Sequence, residues 1–139
     1  MDRFDEVVET MTRLNLSGVE LFSQVGDGVA RREYNGIGPA YFPDELRGTV
    51  TKWLRIFEPA ALIHDLRNYK SDGMRWAFHY ANREFLENCR KCADDAYPWY
   101  SWRRYRARWI ARLLFRFVDG QPGWVAWMNC YNKKKERVK

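Results

Sequence analysis

The sequence predicts an all-α fold, a single small domain of about five helices. Three observations carry this. Stretches of apolar residues recur at helical spacing, as in Phe4, Val7, Val8, Met11 and Leu14. Turn-forming clusters separate those stretches: Gly26-Asp27-Gly28, Ser71-Asp72-Gly73 and Asp119-Gly120-Gln121-Pro122-Gly123. The 139 residues suit one domain with a real but modest core and show no internal repeat. That domain is assigned to residues 1–132. Residues 133–139 form a charged tail without apolar anchors, expected to be disordered.

The first helix carries the Phe4–Leu14 stripe, with Asp2 and Asp5 complementing its dipole. Gly18 ends that segment, or Ser17 opens a short second helix through Val19–Phe22. Two Gly and two Pro within Gly36–Pro43 predict an ordered loop. Such a loop either turns the chain or aims backbone carbonyls at a common centre, which a hard cation such as calcium can use. Asp44 caps a helix with the apolar stripe Leu46, Val50, Trp53, Leu54 and Phe57. Pro59 is expected to break or redirect it, and a further helix runs to about Tyr69. A long helix follows from Met74 to about Asp94, with Trp76, Tyr80, Phe85, Leu86 and Cys89 as its buried side. Pro98 starts the next, whose apolar face is Trp102, Tyr105, Trp109, Leu113 and Phe117. Arg104, Arg108, Arg112 and Arg116 run along it as a basic stripe at i+4 steps. Trp124–Met128 is too short to classify.

The formal charge of +6 permits an acidic partner, nucleic acid or an anionic membrane surface. Three cysteines are an odd number, which argues against a disulfide framework and for a reducing compartment. The first residues lack the basic start and apolar stretch of a secretory signal, and no apolar run approaches the roughly 20 residues of a membrane span. As written, the chain is expected to be cytoplasmic unless another route releases it. Cys89-Arg90-Lys91-Cys92 has the spacing of half a zinc site, but only Cys130, His64 and His79 could complete it, at no usual spacing.

The chemistry-bearing stretch is Glu58-Pro59-Ala60-Ala61-Leu62-Ile63-His64-Asp65-Leu66-Arg67-Asn68-Tyr69. It sets two ionisable neighbours in an apolar run, which is costly unless they are paired or bind a metal. On a helix they point about 100° apart, so each can face its own partner. That suits an imidazole that moves protons beside a carboxylate that holds a cation. The alternative is a hydrogen-bonded, partly buried His next to a solvated Asp.

Three pieces in order, Asn35-Gly36-Ile37-Gly38-Pro39, Ala60-Ala61-Leu62-Ile63-His64-Asp65 and Ala81-Asn82-Arg83-Glu84-Phe85-Leu86-Glu87-Asn88, resemble the phospholipase A2 superfamily, especially its short bacterial and phage-borne members. The similarity covers about residues 34 to 90. It implies an antiparallel helix pair carrying the His-Asp site. His64 would be the base that activates a water against the sn-2 ester of a phospholipid. Asp65 would bind calcium, with the carbonyls of Asn35, Gly36 and Gly38 completing the site, and calcium would polarise the ester carbonyl. The second family Asp, which orients the His, is here Asn82. An Asp→Asn change in the Ser-His-Asp triad lowers kcat by about 10⁴. The tyrosine expected four residues after the His is displaced: Asn68 takes that place and Tyr69 follows one step late. A Cys common in the loop is Ile37. A second reading therefore keeps the fold without the chemistry, as a binding or structural module of phage or mobile-element type. In that reading the Arg/Trp helix meets a lipid surface or, less favoured, nucleic acid.

Overall fold

The computed structural model describes residues 2–34 and 44–138, taking in all their side chains but those of 44–54 and 138. Among the described residues there are seven helices and no strand: α1 (Arg3–Arg13), α2 (Glu20–Val25), α3 (Asp27–Glu33), α4 (Asp44–Tyr69), α5 (Arg75–Ala96), α6 (Trp102–Val118) and α7 (Gln121–Val138). None is long and apolar enough to cross a membrane. The expected count of about five falls short because two short helices precede α4 and the last segment is a full helix. Residues 35–43, which hold most of the expected loop with Asn35, Gly36 and Gly38, lie outside the described residues, as do the side chains of Leu46, Val50, Trp53 and Leu54.

Helix α1 begins where Asp2 accepts from the Asp5 amide at 2.9 Å, and it buries Phe4, Val7 and Met11. The link to α2 is clamped onto α5. Asn88 accepts from the Ser17 amide and donates to the Ser17 carbonyl, both at 2.9 Å, and the Ser17 hydroxyl donates to Glu84 at 2.8 Å. Gly18 makes this approach possible. Its φ is +91°, and a Cβ there would stand 2.7 Å from the Ile63 side chain. In the last turn of α3, Arg31 ties the N-terminal helices together by pairing with Asp2, Asp5 and Asp27 at 2.8 to 3.0 Å.

Pro59 does not break α4, which runs unbroken from Asp44 to Tyr69. A proline removes the amide that would bond the carbonyl four residues back, here that of Arg55. Arg3 supplies the missing donor: its Nη2 reaches the Arg55 carbonyl at 3.0 Å. Its Nε pairs with Glu58 at 2.6 Å, and Glu58 also accepts from the Tyr34 hydroxyl at 2.8 Å.

The expected faces of α5 and α6 are corrected. Trp76 and Tyr80 are exposed, whereas Phe78, Ala81, Asn82, Glu84 and Asn88 are buried with Phe85 and Cys89. Helix α6 starts at Trp102, capped by Ser101, not at Pro98. Its aromatic stripe is open, with Trp102, Tyr105 and Trp109 exposed by 63, 57 and 60%. The buried stripe is Ala107, Ile110, Ala111, Leu114 and Val118. Both stripes have helical periodicity. Packing against α5 selects the one with small residues, because two alanines let the helices approach closely while three large rings hold them apart.

Helix α7 extends through residues 133–138, where the sequence reading expects a disordered tail. Lys, Glu and Arg favour helix, and cations suit a helix C-terminus. The Arg137 guanidinium sits 4.9 Å from the centre of the Tyr69 ring. Trp127 of α7 is buried with Phe78 and Ala81 in a small cluster apart from the main core.

Candidate functional site

His64 occupies the apolar side of α4 and is 8% exposed. Its Nε2 lies 2.8 Å from Asn82 Oδ1 on α5, and its ring stacks obliquely on Phe85 at 5.1 Å. The amide of Asn82 is fixed from behind. Its Nδ2 donates to the Val118 carbonyl at 3.2 Å and to Asp119 Oδ1 at 3.0 Å. Carbonyl and carboxylate oxygens only accept, so Asn82 Oδ1 must face the histidine as an acceptor. Nε2 therefore carries the proton, and Nδ1 is left as the basic nitrogen of the neutral ring. Burial lowers the His64 pKa, opposed by its bond to Asn82 and by the charge of Glu84. Asp119 also receives His79 Nδ1 at 2.6 Å, so a hydrogen-bonded chain runs from the buried imidazole to an exposed one.

One turn beyond His64, Arg67 makes two bonds at 2.9 Å to Glu84, whose side chain is 3% exposed. This ion pair fixes α4 against α5 beside the His64–Asn82 contact. Sequence reasoning placed Glu84 among the residues interrupting the outer face. The available signal was the spacing of Glu84 and Asn88, four residues apart and so on one helix face, and both prove buried.

The remaining assigned residues divide. Asp65 is half-buried beside His64. It is the one proposed calcium ligand within the described residues, among which no group of three or more His, Cys, Asp or Glu could hold a metal. Tyr69 is half-buried under Arg137, and its hydroxyl makes no hydrogen bond to His64 or Asn82 among the described residues. Asn68 is buried. The Arg stripe is not uniform: Arg104 and Arg108 both lie on Asp94, at 2.7 and 3.3 Å, whereas Arg112 and Arg116 are exposed.

Cys89 and Cys92 lie in the core. Burial pushes the Cys92 thiol up to about 12 and the Cys89 thiol well above its usual value. Neither is a ready thiolate for zinc or redox chemistry. A cleft of about 440 Å³ is lined by Gln24, Arg67, Trp76, Tyr80 and Trp127 among others, and His64 does not line it. The chain matches no protein-family model, no curated protein and no solved structure.

Proposed function

We propose that the chain is a phospholipase A2-like helical domain in which α4 and α5, as an antiparallel pair, present His64 as the general base for hydrolysis of a phospholipid ester. The observation that supports this most is the His64 Nε2–Asn82 Oδ1 bond of 2.8 Å, which fixes the tautomer with Nδ1 basic. Nδ1 takes a proton from water as the water oxygen attacks the ester carbonyl. The imidazolium then returns that proton to the leaving alcohol oxygen as the C–O bond breaks. Asn82 orients the ring but carries no charge to stabilise the imidazolium, so turnover is slow. Calcium is the proposed cofactor, held by Asp65 and the backbone carbonyls of Asn35, Gly36 and Gly38. When bound it polarises the ester carbonyl.

Fatty-acid release from phospholipid vesicles in millimolar calcium tests the reading. Asn82→Asp raises the rate and His64→Ala abolishes it. If wild type, Asn82→Asp and His64→Ala all release fatty acid at the same rate, the hydrolase reading fails. Calcium calorimetry of wild type against Asp65→Asn tests the cofactor separately, with binding lost in the variant.

A second reading is a non-catalytic module that binds an anionic partner. It is favoured by the exposed stripe of α6, where Trp102, Tyr105 and Trp109 stand beside exposed arginines.

A further inference from the structure

Two adjoining clefts of about 500 and 260 Å³ open along the seam of α5 and α6 and share Arg90 and Arg112. Together they are lined by five arginines, Arg83, Arg90, Arg108, Arg112 and Arg116, and by one acid, Glu87. Several other arginines pair with carboxylates, Arg13 with Asp95, Arg31 with three aspartates and Arg67 with Glu84, while Arg75 and Arg137 lie over aromatic rings. In the groove, Arg90 pairs with Glu87 and Arg108 lies on Asp94. Among the described residues, no carboxylate pairs with Arg83, Arg112 or Arg116. A cleft lined by one sign of charge concentrates potential and counter-ions.

We propose that this groove binds single-stranded nucleic acid. Its charges follow the helices in line, from Arg116 to the rings of Tyr105 and Trp109. At 1.5 Å per residue that run spans about 16 Å, room for a short stretch of a single strand. Tyr105 and Trp109 line the far end and are 57 and 60% exposed, the Tyr105 hydroxyl donating to the Trp99 carbonyl at 2.9 Å. A basic groove that tracks a backbone, with aromatics for the bases, is the arrangement that holds single strands without sequence preference. A duplex hides its base faces. A bilayer is flat and does not enter a seam between two helices. The inference is independent of any chemistry at His64.

The test is fluorescence anisotropy of a labelled oligo-dT strand titrated with the full chain over a series of salt concentrations. Phosphate contacts by Arg83, Arg112 and Arg116 on a single strand give a slope of log K against log salt of about −2.1, and Arg112→Ala reduces it by about 0.7. The same variant weakens binding by about tenfold. Glu87→Gln removes the one acid lining the groove and tightens binding, which a misfolded variant cannot do. Arg13→Ala, in a paired arginine away from the groove, leaves binding unchanged. The proposal is overturned by any of three results: no oligo-dT binding at low salt, equal effects of Arg13→Ala and Arg112→Ala, or capture by anionic phospholipid vesicles through Arg112 that oligo-dT does not compete.

Discussion

Replacing Arg67 with methionine should be among the most damaging single changes outside the apolar core. Glu84 accepts two guanidinium bonds at 2.9 Å and one from the Ser17 hydroxyl at 2.8 Å, with its side chain 3% exposed. Arg67→Met removes two of the three and leaves a buried carboxylate. Stripping one partner from a buried pair costs about 3–5 kcal/mol. Arg67 is itself 25% exposed, and water entering its place partly solvates the acid, which puts the cost near about 3 kcal/mol. With an unfolding entropy of about 2.1 cal/mol/K per residue, a chain of this length loses about 10 °C in Tm. The assay is thermal unfolding by circular dichroism on wild type, Arg67→Met, Glu84→Gln and the double variant. Because the two side chains touch, the double variant should cost less than the sum, by about 2 kcal/mol. A Tm loss below about 3 °C, or additive costs, refutes the claim that this pair sets the register of α4 on α5.

Three further outcomes are expected. Arg3→Met, which strips the donor from the Arg55 carbonyl, should cost about 0.5–1.5 kcal/mol in urea unfolding, and less in a Pro59→Ala background, where the alanine amide supplies the missing bond. Gly18→Ala should destabilise by about 1–3 kcal/mol, because it combines a positive φ with a Cβ set against Ile63 and Glu84. The lowered His64 pKa means that the unfolded chain takes up a proton near pH 6.5 while the folded chain still resists it. Its contribution is fully present above that value and is lost as pH falls through the lower folded pKa, so the pH dependence of stability between 7.5 and 5.5 should be shallower in His64→Gln.

What the sequence made legible was whatever depends on neighbours along the chain. The α1 stripe is visible in Phe4, Val7 and Met11, and the long α5 differs from its expected bounds only at its ends. Misreadings arose where a partner distant in sequence decides. Pro59 looks like a stop until Arg3, far back in the chain, caps the carbonyl it orphans. Helix α6 offers two apolar stripes, and only the presence of α5 selects Ala107 and Ala111 over Trp102 and Trp109. Glu84 and Asn88 read as surface residues because their partners, Ser17 and Arg67, come from other segments. At the site, the resemblance set Asn82 opposite His64, and the two stand 2.8 Å apart. The amide orientation behind Asn82 depends on Val118 and Asp119, which no motif spacing includes.

The attachment of α7 divides the molecule thermodynamically. Among the described residues the main core draws on α1 through α6, and α7 buries Trp127 in a separate cluster with Phe78 and Ala81. Edge-on contacts of Phe78 with Trp124 at 5.2 Å and Trp127 at 5.9 Å form that cluster, and Arg137 on Tyr69 adds a second point of attachment. A helix held by its own small cluster opens at a lower free energy than the core it leans on. Amide protons of residues 124–137 should thus exchange as one group, ahead of those in α4 and α5, with two tryptophans reporting each opening in their fluorescence.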